Sequence, residues 1–372
     1  MTTPGRLRRH PPGGARTAGG GPALARGHLL TLNAGSSSIK YALFARDELA
    51  TPVFAGQVEG IGLAGGMATH DAAMARVLAQ LNARHERIVA VGHRIVHGGA
   101  TLVQPVRVDA AVVAQMSELI PLAPLHQPHN VAGVRAALGA FAGVPQVACF
   151  DTAFHAAQPE LNRRFALPQP LFDAGVRRYG FHGLSYESIL AQLMADDPAR
   201  ARGRVVIAHL GNGASMCAMH EGRSVATTMS FSPLDGLPMG TRCGRLDAAV
   251  VLHLIRQQGR SVDEVQRLLF RESGLLGLSG VSSDMRELEA SAVPAAAMAV
   301  DYFVEHALRE LAGMVAALRG VDTLVFTGGI GEHAAHVRRR IVDGAAWMGP
   351  VDVRVLRTNE EAVIARHTAA LV

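Results

Sequence analysis

The chain has 372 residues, of which 49% are hydrophobic and 18% are charged, the balance of a globular protein. This length exceeds the size at which a single core keeps growing, so we expect two domains. No apolar run is long enough to span a membrane, and a membrane protein is therefore not predicted.

The positive charge is concentrated at the N-terminus. The formal net charge is +5, but residues 1–28 contain no acid and five arginines, Arg6, Arg8, Arg9, Arg16 and Arg26. The rest of the chain is balanced, so nucleic acid is not expected as a partner. We predict that residues 1–28 are a disordered basic extension or reflect a start codon assigned too early, with a transit peptide as the alternative.

Cysteine usage indicates a reducing compartment. The three cysteines, Cys149, Cys217 and Cys243, show no CxxC spacing. A sparse and odd number of cysteines suits the cytoplasm, which is the predicted location.

The first half of the chain alternates strands and helices. Three strands are predicted in "HLLTLNAG", "SIKYALF" and "TPVFAGQVEGI", and a helix follows with apolar residues at Met74, Val77, Leu78 and Leu81. The strand "RIVAVGHRIVHGG" then precedes two helices, around residues 108–119 and 129–141. The strand "VPQVACF" ends at Asp151.

The second half repeats this pattern. Alignment of Gly35 with Gly211 places "LNAGSSSIKYAL" over "AHLGNGASMCAM", again the start of three strands. Two helices are predicted next, one capped by Asp247 and ended by Gly259, the other with a Ser261–Glu264 capping box and Gly274 at its end. A long helix over residues 295–319, the strand, glycine loop and helix of "DTLVFTGGIGEHAAHVRRRI", the strand "VDVRVLRT" and a closing helix "EEAVIARHTAAL" complete the chain.

A repeated unit of three antiparallel strands followed by alternating helices and strands indicates a duplicated α/β fold with a central cleft. We predict a first domain of residues 29–151 plus 358–372 and a second of residues 152–357. Ligands of such folds bind where strand ends face the cleft.

Four glycine-containing segments are each predicted to follow an apolar strand: "NAGSSS", "HLGNG", "SGVSSDMR" and "TGGIGEH". Glycine lets backbone N–H groups approach phosphate oxygens. A single such turn is also typical of a tight hairpin, but four on duplicated halves favour phosphate binding. A Walker loop, a dinucleotide fingerprint and the protein-kinase signatures are absent from the sequence.

Two arginines and a histidine indicate an anion site. Arg94 lies in an apolar strand pattern and Arg242 between glycines, where an arginine usually meets an anion, although a side chain reaching out to solvent is the alternative. With His182 in "RRYGFHG", they could surround a phosphoryl group in transfer, whose negative charge spreads over three oxygens.

Two acids are candidates for the same site. Asp151 ends a strand, so its carboxylate could hold metal-bound water, position a nucleophile or accept a proton, or it could simply cap the next segment. Glu360 could be a helix-start acid or an oxygen ligand to Mg²⁺. The histidine pairs His93/His97 and His126/His129 lie in strand or proline-rich context, so a zinc site is not predicted.

These motifs together resemble the acetate kinase (acetokinase) family over Leu29 to Leu371. The resemblance rests on "NAGSSSIKY", "GHRIVHGG", "PLAPLH", "FDTAFH", "RRYGFHGLS", "HLGNGAS", "PLDGLPMGTR", "SGVSSDMREL", "FTGGIGEH" and "TNEEAVIAR" in this order. It implies ribonuclease-H-like, actin-like ATPase domains flanking the cleft. It also implies a homodimer that uses Mg²⁺, with Mn²⁺ as an alternative, to transfer a phosphoryl group from ATP to acetate, giving acetyl phosphate and ADP.

The resemblance also implies roles for individual positions. Catalysis falls to Asp151, His182 and Arg242, and metal binding to Asn33 and Glu360. Acetate binding falls to Arg94, Val96, Leu125, Phe181 and Pro233. The nucleotide falls to Lys40, His209, Leu210, Gly211, Asn212, Gly213, Asp284, Met285, Arg286, Gly329, Ile330, Gly331, Glu332 and His333. Lys40 is the only lysine in the chain, and its compact ammonium suits a phosphate contact.

Some positions depart from the family pattern: Arg245 stands for an acid, Ala248 for proline and His333 for asparagine. These departures leave open a propionate kinase or other short-chain acyl kinase, and an inactive paralogue that only binds nucleotide. A non-catalytic nucleotide switch would not need the paired arginines Arg94 and Arg242.

Overall fold

The computed structural model describes residues 27–35, 38–61, 67–84 and 86–372. The predicted basic extension therefore lies outside the described residues, apart from Gly27 and His28. None of the described helices combines the length and the apolar character needed to cross a membrane.

The described strands form two sheets, one from each half of the chain. The first sheet has the order β3-β2-β1-β4-β6-β5, with β1 His28–Ala34, β2 Ser38–Ala45, β3 Phe54–Glu59, β4 Ile88–Ile95, β5 Val106–Arg107 and β6 Gln146–Phe150. The second has the order β11-β10-β7-β8-β9, with β7 Val205–Leu210, β8 Ala214–His220, β9 Arg223–Thr227, β10 Thr323–Thr327 and β11 Asp352–Val355.

The two sheets share one topology. In the first, β1 is antiparallel to β2 and parallel to β4, and β4 is parallel to β6. In the second, β7 is antiparallel to β8 and parallel to β10, and β10 is parallel to β11. The predicted duplicated α/β unit is therefore confirmed, and the two-residue β5 is an addition that the sequence pattern did not indicate.

The helices cover the faces of the two sheets. They are α1 His70–Asn82, α2 Ala110–Glu118, α3 Gln127–Ala140, α4 Glu160–Arg163, α5 Gln169–Asp173, α6 Gly183–Asp196, α7 Pro198–Arg202, α8 Ala248–Arg256, α9 Val262–Arg271, α10 Gly274–Ser279, α11 Met285–Ala290, α12 Pro294–Leu318, α13 Gly328–His333, α14 Ala335–Gly344 and α15 Glu360–Leu371.

The predicted helix caps hold in detail. Asp247 accepts a hydrogen bond from the Ala249 N–H at 2.8 Å at the start of α8. Ser261 and Glu264 form the reciprocal capping box of α9, which satisfies two N–H groups that the helix itself leaves free.

Three local predictions were wrong. The segment "SGVSSDMR" follows helix α10 rather than a strand, and the glycines after β10 form helix α13 rather than a loop. Gly274 begins α10 at φ +61° instead of ending α9, which stops at Arg271. Helix α6 was not predicted, although its buried Tyr186, Ile189 and Leu193 have helical spacing.

Two helices lie where the two halves of the chain meet. Helix α15 packs on β1, β4 and β6 of the first sheet, and α6 packs on β7 of the second and directly against α15. On the far side of the second sheet, the long helix α12 covers a core that includes Phe303 and Leu311. The N-termini of α6 and α15 thus come together between the sheets, and the polar residues of the site gather there.

Candidate active site

Strand alternation places four of the predicted side chains on one face of the first sheet. Asn33 lies directly opposite Lys40 in the β1–β2 ladder, and Arg94 lies opposite Cys149 in the β4–β6 ladder. Successive side chains of a strand point to opposite faces, and residues two or four positions away on these strands pack against α15. Asn33, Lys40, Arg94 and Asp151 therefore face the helix whose first residue is Glu360.

A largely buried ion cluster forms at this face, in which Asp151 is 2% exposed, Glu360 19% and Arg94 21%. Arg94 donates to both carboxylate oxygens of Asp151, from Nε at 3.0 Å and from Nη2 at 2.7 Å. Its Nε also lies 3.6 Å from Glu360 Oε2, and the Ser185 hydroxyl donates to the other Glu360 oxygen. One guanidinium thus joins two acids that are far apart in sequence, one at a strand end and one at a helix start.

The charges of this cluster stabilise one another. Burial by itself lowers the pKa of Arg94, but Asp151 and Glu360 raise it above its usual value, so the guanidinium stays charged. Burial pushes the pKa of Glu360 up, but Arg94 and Ser185 bring it below the usual value. Burial raises the pKa of Asp151 and Arg94 opposes that rise. Because its pKa lies below the usual carboxyl value, Glu360 is an ionised carboxylate at neutral pH.

His182 and Arg242 flank a single point beside the turn between β7 and β8. A Cβ placed on Gly213 would lie 3.4 Å from His182 Nε2 and 3.7 Å from Arg242 Nη1. His182 adopts a left-handed backbone with φ +58° at the start of α6, a conformation that non-glycine residues rarely adopt outside functional or tightly constrained sites. Arg242 is held by Nη1 donating to the Pro233 carbonyl at 3.0 Å.

Electrostatic effects show that the two arginines and the histidine share one space. Burial lowers the pKa of His182 well below its usual value, and His209, Arg94 and Arg242 lower it further. Burial and Arg94 likewise lower the pKa of Arg242. The structure therefore places Arg94, His182 and Arg242 close to one another.

Glycine segments of the second half converge next to these donors. A Cβ on Gly211 would lie 3.7 Å from the Gly329 nitrogen, and one on Gly240 would overlap the side chain of Asn212. Gly328 has φ +78° and a Cβ there would lie 2.7 Å from the Leu210 carbonyl. The approach at Gly328, with its positive φ and its contact with a backbone carbonyl, requires glycine, and the Gly329 nitrogen lies next to the turn that contains Gly211 and Gly213.

The remaining predicted nucleotide residues divide into two groups. Leu210, Ile330 and Met285 are buried in the core of the second half, so any contact they make with a nucleotide would come through the backbone. Near the surface, Asp284 caps α11 and pairs with Arg286 at 2.6 Å. His333 is 76% exposed beside Glu332.

The predicted acetate-binding residues have the following neighbours. Val96 packs against the core cluster that contains Phe181, and the Pro233 carbonyl is bonded to Arg242. Leu125 lines a cavity of about 250 Å³ with Phe270 and Arg271 of α9. The next residue, His126, is close enough to Arg242 and Arg94 for both to lower its pKa.

Lys40 lines a different and larger cavity. This space of about 970 Å³ lies between β2, β3, α6 and the start of α15, and Arg357 and Arg366 also line it. Lys40 is close enough to Glu360 to lower the pKa of that acid. Its predicted phosphate contact would therefore be made from the Glu360 side of the site.

Several polar residues of the site were not predicted from the sequence. Asn130 joins the ends of β4 and β1, accepting from the Val96 N–H at 2.9 Å and donating to the Ala34 carbonyl at 2.7 Å. His126 lies near Arg242 and Arg94, and burial together with these charges lowers its pKa to about 4. A single polar residue has no local sequence pattern that indicates a functional site, and the sequence singles out His126 only through its spacing from His129.

Within the described ranges, no group of three or more His, Cys, Asp or Glu residues is placed to hold a metal ion.

The fold and the site together define a class of protein. Duplicated α/β domains of the actin-like ATPase type enclose a centre in which glycine turns meet fixed cationic donors, the equipment of a phosphotransferase. Comparison with known proteins supports this class and identifies the family within it.

A model of the acetokinase family matches residues 28–371. An acetate kinase from Methylocella silvestris is 47% identical over 92% of this chain and 97% of its own length, and one from Rhodopseudomonas palustris is 46% identical over 91% and 97%. The chain therefore belongs to the acetokinase family, and it is a kinase.

Solved structures lead to the same family. Porphyromonas gingivalis acetate kinase superposes with a TM-score of 0.86 at 34% identity, covering 93% of this chain and 99% of that one. A propionate kinase from Francisella tularensis superposes with a TM-score of 0.88 at 33% identity, covering 93% and 100%. Overall similarity thus does not separate the two acyl substrates.

Proposed function

We propose that this protein is an acetate kinase, which transfers the γ-phosphoryl group of ATP reversibly to acetate. The observation that supports this most directly is the meeting of His182 and Arg242 beside the glycine turn at Gly213, with Arg94 close enough to lower the pKa of both. A propionate kinase is the second candidate, because a structure with that name is as similar as one named acetate kinase.

The proposed reaction is a direct in-line displacement. A carboxylate oxygen of acetate forms a bond to the γ-phosphorus while the bond from that phosphorus to the β,γ-bridging oxygen breaks, and ADP leaves with the electron pair. Arg242 and the His182 Nε2–H donate to the equatorial oxygens, where negative charge develops. Arg94 holds the acetate carboxylate in line.

Asp151 acts in this mechanism by orienting Arg94 rather than as a base. Acetate is ionised at neutral pH and has no proton to lose, so the attack needs no proton acceptor. The two hydrogen bonds from Arg94 to Asp151 fix the plane of the guanidinium, and fixed geometry at the reacting carboxylate lowers the barrier.

Magnesium fits the chemistry of one residue at the start of α15 and one on the facing strand β1. Glu360 supplies an ionised carboxylate and Asn33 an amide oxygen, the hard ligands that Mg²⁺ combines with water and phosphate oxygens, and Mn²⁺ accepts the same set. When bound, the ion neutralises charge on the nucleotide phosphates. Ser185 keeps the Glu360 carboxylate oriented for this task.

We propose domains of residues 29–151 plus 358–372 and 152–357, consistent with one sheet in each and with α15 on the first sheet. A homodimer is supported by the exposure of apolar side chains around α8, which buries only Leu254 and leaves Leu252 51% exposed and Val250 39%. We also propose a cytoplasmic location.

The acyl substrate is tested by trapping the product. Purified protein with ATP, Mg²⁺ and acetate, propionate or butyrate in parallel should give a hydroxamate with hydroxylamine, and kcat/KM should be highest for acetate. One methylene is worth about 1–3 kcal/mol in a small apolar pocket, so a preference of about tenfold or more is expected. A higher kcat/KM with propionate would favour the second candidate, and ATP binding without any hydroxamate would contradict both.

Replacing Glu360 tests the proposed metal site. Glu360→Gln keeps the hydrogen bond with Ser185 but removes the charge, so the Mg²⁺ concentration that gives half-maximal rate should rise. Residues that only support a metal ligand typically cost ~10–100-fold in metal affinity when replaced. Loss of a ligand itself should raise this Mg²⁺ concentration by at least as much. Glu361→Gln, one position further along α15, is the matched control and should leave the Mg²⁺ dependence unchanged. An unaltered dependence in Glu360→Gln would remove this residue from the metal site.

A further inference from the structure

Behind His182, on the side away from the cationic centre, lies a short row of buried hydroxyl groups. His182 Nδ1 lies 2.9 Å from Ser215 Oγ, and the same Ser215 oxygen is hydrogen-bonded to the Tyr186 hydroxyl. Ser215 and Tyr186 are each 0% exposed. Every hydrogen-bonding position in this row therefore has to be matched within the protein.

The fold explains why these three residues meet. His182 is the N-cap of α6, and the Tyr186 N–H donates to its carbonyl at 3.1 Å, so the two residues lie one helical turn apart. Ser215 lies on β8 directly opposite His209, the strand position that corresponds to Lys40 opposite Asn33 in the first sheet. Residues two and four positions after Ser215 pack against α6, so the Ser215 side chain points towards it as well.

Proton counting leaves two directions for the hydrogen bonds of this row, because the Tyr186 hydroxyl approaches both Ser215 and Thr227. A neutral imidazole carries one N–H, and the hydrogen bond made by one ring nitrogen determines which nitrogen holds the proton. Burial keeps the pKa of His182 well below its usual value and that of Tyr186 well above its own, so the ring is neutral and the phenol is protonated. If Tyr186 donates to Ser215, the Ser215 proton points at Nδ1 and the His182 proton must be on Nε2.

We propose that Ser215 is a positioning residue that fixes His182 in the Nε2–H tautomer, with Tyr186 orienting the Ser215 hydroxyl. In this arrangement each donor meets one acceptor: Tyr186 to Ser215, Ser215 to Nδ1, and Nε2–H towards the space beside Gly213 and Arg242. The opposite tautomer would present a lone pair there, which repels a phosphoryl oxygen. The catalytic consequence rests on the proposed function, whereas the tautomer itself does not.

The tautomer is read directly by NMR. Protein labelled with [¹⁵N]histidine distinguishes protonated from unprotonated ring nitrogens, and the His182→Gln spectrum assigns the resonances. The wild-type protein should show protonated Nε2 and unprotonated Nδ1. In Ser215→Ala the proton should move wholly or partly to Nδ1, and in Tyr186→Phe a smaller shift in the same direction is expected.

Kinetics provide the second measurement. Loss of one preorganised donor costs up to about 10²–10³-fold in kcat, so Ser215→Ala should lose about tenfold to 10²-fold in kcat with the KM for ATP and acetate nearly unchanged. Ser117→Ala, the same change at a serine that bonds the Val113 carbonyl outside the site, is the matched control. Retention of the wild-type tautomer in both Ser215→Ala and Tyr186→Phe would overturn the proposal. A wild-type protein that makes no acyl phosphate would overturn the proposed function and leave the tautomer result standing.

Discussion

Replacing Arg242 with alanine should reduce turnover by about 10³-fold or more while ATP still binds. The Arg242 guanidinium lies beside His182 Nε2 at Gly213 and is held by the Pro233 carbonyl. Burial lowers the pKa of Arg242, and the nearby Arg94 lowers it further. A partly buried cation with a cationic neighbour is strongly stabilised by an anion, and the transferring phosphoryl group is such an anion.

The kinetic pattern separates this role from a structural one. Initial rates by hydroxamate formation should show the loss in kcat, and the Kd for ATP from fluorescence or calorimetric titration should stay within a few-fold of wild type. Arg267→Ala is the matched control, because Arg267 is an exposed arginine paired with Glu272 on the same half of the chain. A variant at Arg242 that keeps more than a tenth of the normal rate would contradict the assignment.

The parts of the fold that were predicted correctly depend on local patterns. The alternation of β1 and β2 and the capping box at Ser261 are written in neighbouring residues, and each pattern has one main structural solution. The repeat of three strands gave the duplicated topology for the same reason. The failures have a local cause too, since Gly274 can begin a helix at positive φ as readily as it can end one.

The site was only partly predictable because its contacts span the chain. The sequence singles out Arg94 in an apolar strand, Asp151 at a strand end and Glu360 at a helix start. Nothing in the neighbouring residues indicates that Arg94 bonds an acid 57 positions away. Ser185 and Ser215 were missed because a buried serine on a helix or strand carries no pattern of its own. Which serine meets which partner is decided only when α6 and α15 come together between the sheets.

Replacing Arg94 with methionine should abolish turnover and also destabilise the fold. Asp151 is 2% exposed and accepts both of its hydrogen bonds from Arg94. Methionine fills much of the volume but leaves a buried carboxylate without its cation, and breaking a buried pair in this way costs about 3–5 kcal/mol. Urea unfolding followed by circular dichroism should show this loss relative to wild type.

The pH dependence of that loss identifies its cause. Burial raises the pKa of Asp151 even with Arg94 present, and without Arg94 it should rise further. An acid whose folded-state pKa lies above its unfolded value binds more protons when folded. The free energy of unfolding therefore falls as the pH rises from the unfolded-state pKa to the folded-state pKa. The deficit of Arg94→Met should therefore be larger at pH 7 than at pH 5.

A second substitution should restore stability without restoring activity. In Arg94→Met/Asp151→Asn the buried charge is gone, so the double variant should recover part of the lost unfolding free energy and lose its pH dependence. Turnover should remain absent, because no guanidinium holds the acyl carboxylate. Asp151→Asn completes the double-mutant cycle, and the coupling between the two positions should lie between about 0.5 and 3 kcal/mol. If the two losses of stability simply added, the Arg94–Asp151 pair would not be what holds this end of the first sheet together.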